Sequence, residues 1–135
     1  MSNNKKSKYM ILSTQIRNFY DLEAWKVSHD FVLEIYKITK NFPKDELYGV
    51  VSQLRRAASS VTANIAEGFS RYHFKDKIRF YYQARGSVSE AQNFLLLAKD
   101  LGYIKFEQCG IIGEKGNNSR QLINGLIRSI ENNIK

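Results

Sequence analysis

Three basic side chains and one tyrosine fall at helical spacing in the middle of the chain. Arg71 comes first, and Lys75, Arg79 and Tyr82 follow at steps of four, four and three residues. Guanidinium and ammonium groups contact phosphates, and a tyrosine ring can stack on an unpaired base. Arg56 points away from the apolar stripe of the preceding segment and is a fifth candidate. These residues predict a sequence-tolerant nucleic-acid-binding surface, and the alternative is a solvated basic face.

Four further polar residues lie on the flanks of the same two segments: Asn64, Glu67, Arg85 and Glu90. They can reach a neighbouring helix or a neighbouring subunit, so we expect a polar network that fixes helix register or joins subunits. Gly86 lies among them, and a glycine inside a helix costs about 1 kcal/mol relative to alanine. We therefore expect another segment to approach closely at Gly86.

The residues that carry catalysis or bind metals are sparse. The two histidines, His29 and His73, lie in different segments, and Cys109 shares no motif with either. The residues three positions before the histidines are not glutamates, so the Glu-x-x-His repeat of di-iron bundles is absent. No catalytic residue, metal site or cofactor is predicted, and the chain is expected not to be an enzyme.

Four helical segments would position these side chains, since no stretch alternates with a period of two. Asp21 is the expected N-cap of the first helix, which Pro43 ends. Gly102 suits the left-handed position after the third helix. Residues 1–18 form a basic tail, and the remaining chain is predicted to fold as an all-α, antiparallel up-down-up-down four-helix bundle. The expected helices cover residues 21–41, 45–68, 74–101 and 107–133.

Apolar stripes predict which faces are buried. In the third helix, apolar or small residues recur at alternating steps of four and three and form a seam. The small residues of this seam let a neighbouring backbone come close. The seam consists of Phe80, Ala84, Ser87, Ala91, Phe94, Ala98 and Leu101.

The first helix is apolar over more than half of its circumference, and the part not needed by a bundle predicts an oligomer interface. That interface is expected at Val27, Phe31, Ile35 and Ile38. The alternative is that residues 1–20, which include the apolar "YMIL", cover this helix.

The net charge is +8 and is unevenly distributed. Residues 1–20 carry +4 and residues 71–105 another +4, a distribution typical of a chain that meets a polyanion. The longest apolar run, "FLLLA", is far too short to span a bilayer. With a single cysteine, the chain cannot form an internal disulfide. We expect a cytoplasmic protein.

Three long segments resemble the four-helix-bundle proteins of the 23S rRNA intervening-sequence family, which includes relatives of the accessory variability protein of diversity-generating retroelements. They are "F-x-D-L-x-x-W" from Phe19, "LYGVVSQLRRAASSVTANIAEG" and "RFYYQARGSVSEAQ". The resemblance spans about residues 19–130. The basic tail and the Asn-rich final helix match nothing in it.

The resemblance implies a bundle that assembles into a ring, a pentamer, with a basic surface and no enzymatic activity. Members are encoded within ribosomal RNA insertions or beside retroelement genes, and the retroelement relatives bind reverse transcriptase and nucleic acid. RNA or DNA, and a reverse transcriptase or another protein, are therefore the implied partners. The alternative is a scaffold whose ring holds an acidic polypeptide without any nucleic acid.

Overall fold

The computed structural model describes residues 16–134, and the basic tail expected over 1–18 lies mostly outside this range. Within it the chain forms four α-helices and no strand, which confirms the all-α four-helix bundle. Short 3₁₀ turns at Phe19–Asp21 and Lys44–Glu46 and a π-helical turn at Leu47–Val51 precede the first and second helices. The helices are α1 (Glu23–Thr39), α2 (Ser52–Ser70), α3 (Phe74–Asp100) and α4 (Phe106–Ile134).

Side-chain contacts between helices show that neighbours run antiparallel. Along α3, Arg85 bonds Asn124 of α4, and seven residues later Gln92 bonds Asn117. Residue numbers therefore increase along α3 in the direction in which they decrease along α4. α1 and α3 each pack against α2 and α4, which places the four helices at the corners of a square.

Two helix ends test the local signals directly. After α3, Gly102 has φ of +82° and donates to Lys99, while Tyr103 donates to Ala98. This left-handed turn satisfies the last carbonyl groups of the helix, as predicted. The Asp21 prediction is wrong, because its carboxylate accepts the backbone N–H groups of Arg17 and Asn18 instead of capping α1. These bonds lower the pKa of Asp21.

Glu46 holds the link between α1 and α2 to the link between α3 and α4. Its carboxylate accepts the Tyr103 hydroxyl at 2.7 Å and the backbone N–H of Val50 at 3.2 Å. The Tyr103 hydrogen bond lowers the pKa of Glu46 and raises that of Tyr103. We call this end of the bundle, where the α1–α2 and α3–α4 links meet, the upper end. The α2–α3 link marks the lower end.

The core fills the centre of the square in two apolar clusters. Phe31, Ile35 and Leu95 belong to the upper cluster, and Ile65 and Ile123 to the lower one. Between α1 and α4 the fully buried hydroxyl groups of Ser28 and Ser119 share a hydrogen bond of 2.6 Å, so each satisfies the other.

The predicted oligomer interface on α1 is corrected by this packing. Phe31 and Ile35 have no exposed surface, because they pack against the other helices of the same chain. Val27 and Ile38 are half-buried. The apolar side chains that α1 does expose are Leu33 and Tyr36, which are 53% and 40% exposed.

The predicted seam of α3 holds in the middle and fails at both ends. Ala84, Ser87, Ala91 and Ala98 are buried, but Leu101 is half exposed. Elsewhere Tyr81, Val88 and Leu95 take the core positions. A straight helix drifts by about 20° per heptad against a strict 4-3 rhythm, so such a seam leaves the core within a few turns.

Candidate nucleic-acid interface

The lower end of the bundle is fixed by the way α3 begins against α2. α2 ends at Ser70, Arg71 takes an extended backbone conformation, and α3 starts at Phe74. Lys77 donates its ammonium group to the carbonyl oxygens of Gly68 and Phe69, at 3.3 and 2.8 Å. It thereby satisfies the Phe69 carbonyl group at the end of α2 and adds a second donor to the Gly68 carbonyl, which also accepts the backbone N–H of Arg71. Desolvation lowers the pKa of Lys77.

A close helix contact lies beside this cap. A side-chain carbon at Gly68 would lie 2.6 Å from Cε1 of Tyr81 and 3.2 Å from the carbonyl oxygen of Lys77. Only a glycine therefore lets the buried ring of Tyr81 pack here, and burial raises the pKa of this tyrosine to about 12. The contact orients α3 rigidly, with its inner face towards α2.

The opposite, outer side of α3 carries the predicted contact residues Lys75, Arg79 and Tyr82, and Arg71 precedes the helix in the α2–α3 link. Arg71, Lys75, Arg79 and Tyr82 are all exposed, and we call them the basic face. The guanidinium groups of Arg71 and Arg79 lie 4.7 and 5.6 Å from the centre of the Phe80 ring. The two arginines therefore flank one aromatic ring, which holds their planar groups near each other.

Acidic side chains neutralise part of this charge. Arg71 pairs with Glu67 at 2.9 Å and Arg79 with Asp76 at 3.4 Å. Both pairs are exposed, and such pairs contribute little to stability and exchange easily with other partners. Lys75 makes no hydrogen bond or ion pair with any residue in the range that the structure describes. The basic face can therefore accept phosphate at Lys75 directly and at the two arginines by exchange of their exposed ion pairs.

Arg56, the fifth predicted contact residue, lies apart from the basic face. Its guanidinium group is 3.6 Å from the carboxylate of Glu90 and also donates to Gln53. Glu90 follows Arg79 by eleven residues, which is about 16 Å along a helix. One nucleic-acid strand can reach both places only by following α3 for three turns.

The four residues predicted as one polar network are separated in the structure. Asn64 bonds Ser60 within α2, Glu67 bonds Arg71, and Arg85 bonds Asn124 of α4. Glu90 pairs with Arg56 across the α2–α3 contact. The interhelical bonds do fix register, but they form separate pairs, and their role between subunits stays a prediction.

The expectation at Gly86 is wrong for this chain. Gly86 is exposed, and a side-chain carbon there would meet nothing within 4 Å. It lies one turn after Tyr82 on the outer side of α3. The bare backbone thus borders the basic face, and the close helix approach that a glycine permits occurs at Gly68.

Three candidate contact residues were not predicted from the sequence, two in α4 and one in the α2–α3 link. Asn124 and Arg128 are four residues apart on α4 and lie beside Tyr82 and Arg85 of α3. Their spacing could have signalled a shared helix face, but their partners on α3 are some forty residues away in sequence. Tyr72, in the α2–α3 link, is 87% exposed, and only its place between basic residues could have indicated it.

No cluster of three or more metal-binding side chains occurs between residues 16 and 134. Cys109 is buried, and its thiol lies 3.8 Å from the carbonyl oxygen of Leu95. No helix in the described part of the chain is long and apolar enough to cross a membrane.

The fold and the net charge of +8 are those of a small, basic four-helix-bundle protein. A family model described as 23S rRNA-intervening sequence protein matches residues 20–125. The chain belongs to this family, which confirms the resemblance of the three sequence segments.

The fold is similar to that of a solved protein of unknown function from the S23 ribosomal protein family of Bacteroides thetaiotaomicron. The TM-score is 0.69 at 24% identity, over 77% of this chain and 97% of that chain. At this identity the likeness shows the fold alone. No curated protein matches the sequence, and neither the family description nor that of the solved protein names a catalytic activity.

Proposed function

We propose that this protein is a non-enzymatic, homo-oligomeric accessory factor that binds nucleic acid through the basic face. The observation that carries the proposal is the common exposure of Lys75, Arg79 and Tyr82 on the outer side of α3 and of Arg71 in the link before it. Arginine and lysine side chains neutralise the phosphates of a strand, and the tyrosine adds a stacking surface. The family description, which refers to intervening sequences of 23S rRNA, makes RNA the first ligand to test.

Charge reversal tests this surface. Lys75→Glu with Arg79→Glu should weaken binding of both structured RNA and duplex DNA, because phosphate contacts do not depend on sequence. Lys26→Glu with Lys37→Glu on α1 is the matched control, since both residues are exposed and the net charge changes equally. Fluorescence anisotropy titrations would measure both variants.

Equal weakening in the control would mean that only total charge matters and would contradict the basic face. A wild-type protein that binds heparin as well as RNA, without preference for nucleic acid, would favour the scaffold for an acidic polypeptide.

The proposed oligomer is supported by two exposed apolar surfaces on different sides of the bundle. One is formed by Leu33 and Tyr36 of α1. The other lies at the upper end of the bundle, where Leu96 and Phe106, 52% and 76% exposed, line the α3–α4 groove. Ile111, 62% exposed, extends this surface along α4 towards α1. Contact between two different surfaces is head-to-tail, and such contacts form a ring when the rotation between neighbouring copies closes. The pentamer follows from the family resemblance.

Light scattering should therefore give several times the chain mass of 15.7 kDa. Phe106→Asp should lower the measured mass while the helices stay folded, because the Phe106 ring is mostly exposed and contributes little to the packing of its own chain. Phe31→Asp is the contrasting variant and should unfold the bundle. A clean monomer at micromolar concentration would contradict the oligomer. The cytoplasmic location and the absence of catalysis stay predictions.

A further inference from the structure

A cleft of about 450 Å³ opens between α3 and α4 near the lower end, next to the basic face. Tyr82 and Arg85 line it from α3, and Asn124, Arg128 and Glu131 line it from α4. Tyr82 belongs to both the cleft and the basic face, so a strand on the basic face would pass the mouth of the cleft. Its lining is mainly polar, unlike the apolar groove at the upper end of the same two helices.

Arg85 is held in place on one wall. One of its terminal nitrogens donates to Oδ1 of Asn124 at 2.9 Å, and its guanidinium carbon lies 5.3 Å from the centre of the Tyr82 ring. The hydrogen bond and the stacking together fix a side chain that is otherwise costly to order. The remaining guanidinium N–H groups and the Asn124 amide stay available as donors.

Arg128 supplies a second guanidinium group to the cleft. It is exposed, and it makes no hydrogen bond or ion pair with the residues from 16 to 134. Arginine binds phosphate through two parallel N–H···O bonds, and two arginines can share one phosphate. Glu131 would repel a second phosphate and could accept a hydrogen bond from an amino group of a base.

Tyr82 provides the surface for a base. Its side chain is 42% exposed, and Arg85 covers only one side. Bases stack on tyrosine rings and on guanidinium planes, but only where the base is not already paired inside a duplex. Gly86, one turn further along α3, has open space where a side chain would be, so the sugar-phosphate chain can leave the cleft close to the helix.

We propose that the cleft formed by Tyr82, Arg85, Asn124 and Arg128 binds one unpaired nucleotide of a single-stranded nucleic acid. Its phosphate lies between Arg85 and Arg128, and its base stacks on Tyr82. This inference rests on the proposed function and adds to it a preference for single strands: the basic face holds phosphates of any nucleic acid, and the cleft selects strands whose bases are free.

The test compares a short single-stranded RNA with a duplex of the same length by fluorescence anisotropy. Arg128→Gln should weaken the single strand about tenfold and the duplex less than about twofold, as expected for the loss of one stacked and phosphate-bound nucleotide. Lys37→Gln on α1 changes the charge equally and should leave the affinity for both ligands close to that of the wild type. Tyr82→Ala should act as Arg128→Gln does, while Tyr82→Phe keeps the ring and should bind nearly as the wild type.

The outcomes separate the two proposals. If Arg128→Gln and Tyr82→Ala weaken both ligands by the same factor, or weaken neither, the cleft inference is overturned while the basic face stands. If the wild-type protein binds neither ligand, the proposed function falls and the cleft inference falls with it. The exposure of both side chains means that these variants should fold, and circular dichroism of each variant would verify it.

Discussion

The two sides of α3 differ although they belong to one helix. The inner side packs Tyr81, Ala84 and Ser87 against α2, and its hydroxyl and aromatic groups are used inside the chain. The outer side exposes Lys75 and Tyr82 together with a bare stretch of backbone. The inner side therefore determines stability, and the outer side has no evident role in the fold. Gly86 lowers the stability of the helix and makes no close contact within the chain. We therefore expect a ligand to bind on this side.

Two glycines show the difference most directly, Gly68 of α2, which faces the inner side of α3, and Gly86 in the middle of α3. At Gly68 a side-chain carbon would collide with the buried ring of Tyr81, whereas at Gly86 it would meet open space. The same residue type thus serves packing at one position and leaves the helix uncovered at the other.

Gly68→Ala should give the largest change in stability. The added carbon lies 2.6 Å from Tyr81, which is held on all sides, so α2 and α3 must move apart. Overpacking of this kind costs about 1–3 kcal/mol of unfolding free energy, measured by chemical denaturation. An unchanged midpoint would show that the close contact between the helices is not needed.

Gly86→Ala should have the opposite sign. Alanine favours the helix by about 1 kcal/mol over glycine, and nothing in the chain obstructs it. A loss of stability in the same denaturation experiment would show that another copy of the chain covers this backbone. The variant also serves as the control for Gly68→Ala, because the chemical change is identical.

Tyr81→Phe should have the smallest effect, visible only in alkali. Burial raises the pKa of Tyr81 to about 12, against an ordinary value of 10.0. The unfolded chain therefore releases this proton first, and the contribution of Tyr81 to stability is present below pH 10 and lost as the pH rises towards 12. The phenylalanine variant should lose less stability over this interval than the wild type. Equal alkaline profiles for Tyr81→Phe and wild type would contradict the inner position of Tyr81.

Much of the fold could be predicted from local signals. The left-handed turn at Gly102 and the start of α3 near Phe74 were predicted correctly, because a turn depends on its own few residues. Asp21 was misplaced, since its carboxylate has two competing sets of backbone donors and the sequence does not choose between them. The width of the apolar arc on α1 was evident, but which part faces the chain's own core depends on where α2 and α4 lie. Phe31 and Ile35 were assigned wrongly for this reason.

The candidate site was predictable only along a single helix. Lys75, Arg79 and Tyr82 share a side because of their spacing, and the structure exposes them together. The pairing of Arg85 with Asn124 could not be foreseen, because it depends on the relative shift of two helices. The side that Gly86 faces likewise depends on the rotation of α3 about its own axis, and a rotation of half a turn would exchange the roles of its two sides.

The salt dependence of RNA binding tests the basic face most directly. Each neutralised phosphate releases condensed counterions, so the logarithm of affinity falls with the logarithm of salt concentration by about 0.9 per duplex phosphate. The wild type should show a steep slope. Lys75→Glu with Arg79→Glu should give a shallower one, by about 0.9 for each phosphate that the protein no longer neutralises, while the α1 control variant keeps the wild-type slope. A wild-type affinity that does not change with salt would contradict the proposed role of the basic face. So would a charge-reversed variant of Lys75 and Arg79 with the slope and affinity of the wild type.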